Sequence, residues 1–313
     1  MRDPAAAPGW RPVHRDTSQQ LPNYDRVVAT RVGQSAAAVV LAGGRSLRMG
    51  TAKAALEWHG STLLRRTLGV LARAVDGPLL VVRGPGQPLP DIPPHVEVVD
   101  DPEPGWGPLQ GVAAGLAALD GLAPAAFICS TDLPFLHPAF VRRVLSALTD
   151  DFDVVLPVTG GYPQPLAAAY RTTLGSLVAE LLAAGERRMT GLFQRCATLR
   201  MDDAALLADP VLMRADPALE SVVNVNFPDQ YQAARERLAP QITVQCSNAG
   251  SSDGRNAART VRAATLSGAA AAAGLELRSP LIATLNGRST CLDGDVPLVT
   301  GDTVAFCCPD AGG

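Results

Sequence analysis

The chain has 313 residues, of which 47% are apolar, enough for a full core, and its length predicts two domains. A formal charge of −3 gives no electrostatic case for nucleic acid or anionic membranes as partners. No apolar run reaches membrane-spanning length and the N-terminus has no apolar signal core, so a cytoplasmic location is expected. The six cysteines form no CxxC pair and no zinc spacing and read as reduced thiols.

In chain order, residues 1–35 are rich in Pro, Arg, Gln and Ala without a sustained period, and read as a disordered tail. Residues 27–29 could add a short strand there. Ala36 to Leu41 read as a buried strand that runs directly into Ala42, Gly43 and Gly44. Arg45, Arg48 and Lys53 follow within nine residues of that turn. A strand, a glycine turn and clustered cations suit nucleotide phosphates: backbone N–H groups donate to the oxygens and the cations balance the charge. The spacing is neither the P-loop nor the dinucleotide pattern. Lys53 is the only lysine in the chain, where a compact ammonium suits one crowded phosphate better than a guanidinium fork.

The stretch LAGGRSLRMGTAK resembles the signature of molybdenum-cofactor guanylyltransferases and related nucleotidyltransferases, and the resemblance runs from about residue 36 to about 238. It implies an α/β Rossmann-like domain with a mostly parallel sheet that binds a nucleoside triphosphate and Mg²⁺. It also implies transfer of a nucleoside monophosphate to a phosphorylated acceptor. Leu41, Ala42, Gly43, Gly44 and Lys53 would line the nucleotide, with Arg48, Lys53 and Asp132 in the catalytic roles.

Further on, Leu56, Leu63, Leu64, Leu68 and Leu71 recur at helical spacing, with Ser61 or Thr62 as N-cap. Leu79–Val82 and Val96–Val99 read as strands, and the loop from Arg83 to Gly86 lies where a base or ribose would be met. The family often has an asparagine near here, and this chain does not. Asp100 and Asp101 end the third strand, and Gly107-Pro108-Leu109 opens a helix. Spacing does not separate the two aspartates; Asp101 is taken for the nucleotide and metal side, against a plain strand-ending role. Ala125–Ser130 is a fourth strand, followed by Asp132 and Pro134 in the place of the family's metal-binding D-x-P turn. One carboxylate with phosphate oxygens and waters suits Mg²⁺. Asp153–Val158 is another strand, and Gln164-Pro165-Leu166 through Tyr170 resembles the family's acceptor-side strand, or a hairpin that packs Leu166 and Tyr170 in the core. Leu174–Leu182 is an amphipathic helix. Arg187 and Arg188 stand either near an acceptor phosphate or as a solvated charge run. Asn224 and Asn226 resemble part of a closing motif on one strand face, for acceptor or metal, but Phe227 replaces the usual threonine cap. The four histidines read as surface or capping residues, and no protein nucleophile is required.

Composition changes near Pro240. Residues 241–313 read as strands around a short alanine-rich helix, Leu266–Ala273, closing on Thr303–Cys308 and a terminal Gly312-Gly313. They resemble the small sulfur carriers, the molybdopterin-synthase small subunit and the thiamine sulfur carrier, which are β-grasp folds. In these, the carboxylate of the last glycine, here Gly313, would be adenylated and converted to thiocarboxylate. The combined expectation is three regions, 1–35, 36–238 and 241–313. The implied activity is GMP transfer from GTP to molybdopterin in molybdenum cofactor biosynthesis. Implied further partners are an adenylating or sulfurating enzyme and the molybdopterin-synthase large subunit. The alternatives are a cytidylyltransferase, a sugar-phosphate nucleotidylyltransferase, or a carrier protein with a non-catalytic nucleotide-binding domain.

Overall fold

The computed structural model describes residues 35–43, 52–103, 105–248 and 258–308. Residues 1–34 of the expected tail, the glycine and arginines at 44–48 and the terminal Gly313 lie outside the described residues.

The chain opens with β1 (Ala36–Leu41), then, after a 3₁₀ turn at Lys53–Ala55, the hairpin β2 (Glu57–Trp58) and β3 (Ser61–Thr62). Helix α1 (Leu63–Ala72) follows, and Thr62 is its N-cap, its Oγ1 accepting from the Arg65 N–H at 3.2 Å. Then come β4 (Leu79–Arg83), β5 (Glu97–Asp100), α2 (Pro108–Ala118), β6 (Ala125–Ser130) and α3 (Pro138–Ser146). Next are β7 (Val154–Thr159), β8 (Tyr162–Pro163), β9 (Ala167–Arg171), α4 (Gly175–Ala183), α5 (Met189–Phe193) and β10 (Thr198–Met201). Helices α6 (Asp203–Leu207), α7 (Pro210–Ala215) and α8 (Pro228–Arg235) complete the first region.

These strands form one sheet in the order β10-β7-β9-β6-β1-β4-β5, with β8 paired to β7. Strands β5, β4, β1 and β6 run parallel, as do β7 and β10, while β9 is antiparallel to both neighbours. Alternation along β1 feeds two cores. Ala38 and Val40 pack with Leu64, Leu68 and Phe140 of α1 and α3, whereas Ala37 and Val39 pack with Val112, Leu116 and Val178 of α2 and α4. The result is a doubly wound α/β sheet with helices on both faces, as the sequence predicts. Gly115 is what lets α2 lie against β1, since a Cβ there would stand 2.8 Å from Val39 Cγ1.

A second, mixed sheet holds β11 (Gln241–Asn248), β12 (Arg259–Arg262), β13 (Ile282–Leu285), β14 (Arg288–Thr290) and β15 (Thr303–Cys308). Its order is β12-β11-β15-β13-β14, with β11 and β15 parallel and the other pairs antiparallel. Helix α9 (Leu266–Ala273) covers one face, over a core that includes Ile242, Val244, Leu266, Leu298, Val304 and Phe306.

The two sheets are joined by side chains of α1 and of its C-cap residue. Arg73 grips Asp302 through both guanidinium nitrogens, at 2.9 and 2.5 Å, and donates to the Pro297 carbonyl. Arg65 bonds Asp293 at 2.5 Å; the Asp295 carboxylate lies 2.8 Å from Arg65 Nε but is not aligned for a hydrogen bond. Val299 is buried in the α1–α3 core of the first sheet, next in sequence to Leu298, which is buried in the second.

Candidate active site at the carboxyl edge of the sheet

In open α/β sheets, ligands bind beyond the carboxyl ends of the parallel strands. Here that edge gathers Leu41, Arg83, Asp100 and Ser130, with the residues that follow each. Lys53 arrives from the 3₁₀ turn, which is anchored by the buried Ala54. Its Nζ donates to Asp132 Oδ2 at 2.9 Å and to Asn226 Oδ1 at 2.7 Å. Both charged side chains are largely buried, at 17% and 15% exposure, so this is a desolvated pair rather than a surface contact. Asp132 Oδ1 accepts from the Ser130 hydroxyl, and the Asp132 carbonyl accepts from Val225 N–H at 3.0 Å.

The Asn224–Asn226 segment is irregular rather than the expected strand. The two side chains nevertheless share a side, because Asn226 Nδ2 donates to Asn224 Oδ1 at 2.9 Å. Val225, between them, is buried against Trp58, Leu63 and Ala234. Phe227 gives α8 no side-chain cap; instead Gln230 reaches back and accepts from Asn226 N–H at 2.9 Å.

Two expectations are corrected. The Ala42 and Gly43 amides are not free for a phosphate, because both donate to the Val82 carbonyl, at 2.8 and 3.2 Å. Asp101 does not join Asp132: it ends the edge strand β5, with β4 and β1 in between, three strand spacings or about 14 Å across the sheet. Its carboxylate accepts from Glu103 N–H, and neighbouring Asp100 pairs with Arg83. Tyr170 belongs to the core, fully buried, with its hydroxyl donating to the Pro165 carbonyl at 2.6 Å.

Residues that sequence reasoning missed, Gln87, Trp106 and Glu186, complete the edge. Gln87 donates to the Ala42 carbonyl and accepts from Gly84 N–H, bracing the base of the glycine turn; its signal was its place just after a strand-end Gly-Pro-Gly. Trp106 is 45% exposed, and the Arg187 guanidinium lies 3.8 Å over its ring. They line a cavity of about 780 Å³ with Gly107, Pro165, Arg188 and Met189. Glu186 fixes that wall by accepting from the Arg187 and Arg188 amides, each at 2.8 Å, and those donors, Arg188 first, hold its carboxyl below the usual range.

The cluster at Asp132 fits a hard divalent cation: its donors are one carboxylate and amide oxygens, and it already holds the Lys53 ammonium. Among the described residues no group of three or more His, Cys, Asp or Glu side chains converges on a metal position. Cys129, buried in β6 beneath Asp132, is no nucleophile, since burial and then the Asp132 charge push its thiol well up.

A doubly wound sheet with this cluster at its carboxyl edge is the setting of an α/β ligand site. Residues 38–199 match the MobA-like NTP transferase domain family, and the chain belongs to that family and is a nucleotidyltransferase. It is 41% identical over 169 residues to a probable molybdenum cofactor guanylyltransferase of Mycobacterium tuberculosis, covering 53% of this chain and 82% of that protein. It is 42% identical over 181 residues to that of Mycobacterium marinum, covering 56% and 88%. The crystal structure of molybdopterin-guanine dinucleotide biosynthesis protein A from Archaeoglobus fulgidus shares the fold, with a TM-score of 0.51 at 20% identity over 64% of this chain and 97% of that one. No helix among the described residues is long and apolar enough to cross a membrane.

Proposed function

We propose that the chain transfers GMP from GTP to molybdopterin. The observation that carries this reading is the Lys53–Asp132–Asn226 cluster, in which three segments distant in sequence meet at the carboxyl edge. A phosphate oxygen of the acceptor attacks the α-phosphorus of GTP, the α–β P–O bond breaks, and pyrophosphate leaves. Lys53 balances charge on the phosphates, with Arg48 assigned to the same task from the sequence. Asp132, with Asn224 and Asn226 beside it, would hold Mg²⁺, which supplies charge neutralisation at the phosphates. Leu41 to Gly44 and Asp101 are assigned to the nucleotide side from the sequence, without the Ala42 and Gly43 amides as donors and without a metal role for Asp101. The Trp106–Arg187 cavity suits the planar, phosphorylated acceptor: ring faces for a heterocycle and Arg188 for its phosphate. The kinship with guanylyltransferases supports guanine as the base.

The test is pyrophosphate release by the full chain with molybdopterin and Mg²⁺, comparing GTP, CTP, UTP and ATP. Turnover with GTP alone is expected. Preference for CTP or UTP would transfer the reading to a cytidylyltransferase or sugar-phosphate enzyme, and no release with any triphosphate would favour the carrier alternative.

A second reading concerns the C-terminal sheet. Numbered from its own first strand, its order is 2-1-5-3-4, with the helix between the second and third strands, an arrangement that supports a β-grasp sulfur carrier spanning 241–313. Incubation with ATP, a sulfide-level sulfur source and an adenylating enzyme would then adenylate the Gly313 carboxylate with loss of pyrophosphate and replace one of its oxygens by sulfur as AMP leaves. An unchanged intact mass would refute this reading and leave the transferase reading standing.

A further inference from the structure

Arg66 is a buried arginine on α1, 7% exposed, and among the described residues it makes no ion pair with a carboxylate. Its Nε donates to the Pro134 carbonyl at 2.7 Å and its Nη1 to the Leu298 carbonyl at 3.3 Å. Pro134 belongs to the turn that carries Asp132, between β6 and α3. Leu298 belongs to the segment of the C-terminal region that lies against α1. That segment is clamped on several sides. Pro297 fills a slot over Gly69, where a Cβ would stand 2.4 Å from its Cδ. Asp302 is 3% exposed and is held by Arg73, by Asn286 and by the Val299 amide. The Thr300 carbonyl lies 3.3 Å from His137 Nε2, and His137 caps α3, the helix that the turn runs into. A guanidinium carries fixed N–H donors at Nε and Nη1, so it meets two carbonyls in different directions while staying charged.

We propose that Arg66 is a positioning residue through which the docked C-terminal segment 297–302 holds the Asp132 turn in its working geometry. The C-terminal region is then part of the transferase machinery as well as a module with its own core. A lysine at 66 reaches one carbonyl but not both, and loosening the 297–302 segment removes the far anchor. Burial lowers the Arg66 guanidinium to about 10, so the group stays charged at neutral pH. The proposal rests on Asp132 being the metal-side carboxylate.

The test uses the full chain with three substitutions: Arg66→Lys, Gly69→Ala and Asp132→Asn. Gly69→Ala favours the helix by propensity, yet it displaces Pro297 and lies away from the turn. Two readouts are taken: Mg²⁺ titration of GTP-dependent pyrophosphate release, and hydrogen exchange of the Val225 amide in the free protein, which reports its bond to the Asp132 carbonyl. Arg66→Lys and Gly69→Ala are each expected to raise half-saturating Mg²⁺ by about tenfold, the size typical of a lost outer partner of a metal ligand. Both should also speed Val225 exchange. Should Arg66→Lys not fold, Gly69→Ala decides alone. Wild-type titration and exchange in a folded Gly69→Ala or Arg66→Lys overturn the proposal while a shifted Asp132→Asn keeps the underlying reading. A wild-type Mg²⁺ titration in Asp132→Asn overturns both.

Discussion

Replacing Lys53 by alanine tests the centre of the site. The ammonium bridges Asp132 at 2.9 Å and Asn226 at 2.7 Å, with both charged side chains more than four-fifths buried. Its removal leaves a carboxylate and an amide oxygen facing each other with no donor between them. Breaking a fully buried ion pair from one side costs roughly 3–5 kcal/mol; with residual solvent at both groups, about 2 kcal/mol of stability is the expected loss. The catalytic loss is separate. A lysine that balances phosphate charge in the transition state should be worth at least about tenfold in kcat/KM, or roughly 1.4 kcal/mol. The assay is pyrophosphate release over a GTP series at saturating Mg²⁺, with urea unfolding alongside. Lys53→Arg should recover stability but not rate, because the fork is wider than the ammonium it replaces. A folded Lys53→Ala with wild-type kcat/KM would refute the assignment.

Other outcomes follow from single contacts. Trp106→Ala should raise the KM for molybdopterin roughly fivefold, about 1 kcal/mol of ring contact, and leave the KM for GTP alone; equal effects on both in steady-state kinetics would count against an acceptor cavity. Gly115→Val should cost about 1–3 kcal/mol in urea unfolding, because the new Cβ falls 2.8 Å from Val39 Cγ1, between α2 and the sheet. Asp302→Asn keeps shape but leaves the Arg73 guanidinium without its counter-charge at a 3%-exposed site, and a loss of about 3 kcal/mol by chemical denaturation is expected. Burial holds the His137 imidazole below its ordinary value. The unfolded state therefore binds its proton first, and this contribution to stability is full above about pH 6.5 and declines as the pH falls toward the folded-state value. His137→Gln should flatten that acid limb in a pH series of melting temperatures; an unchanged slope would remove His137 as its source.

Local signals determined much of this protein. The apolar runs Ala36–Leu41 and Ala125–Ser130 and the leucine period of α1 are properties of short segments, and their strands and helix form at or within a residue or two of where the sequence puts them. Asp132 and Lys53 could be singled out because a strand end and a glycine turn are local features, and the fold brings the two side chains together. What the sequence could not decide is which of these ends face one another. Asp101 and Asp132 look equivalent along the chain, yet strand order sets them three spacings apart and brings Asn226 to Lys53 across 173 positions. The same holds for Arg66, which reads as one more helix arginine. Only packing buries it between Pro134 and Leu298, because the carbonyls it satisfies belong to segments 68 and 232 residues away, and no local pattern records a contact closed over that distance.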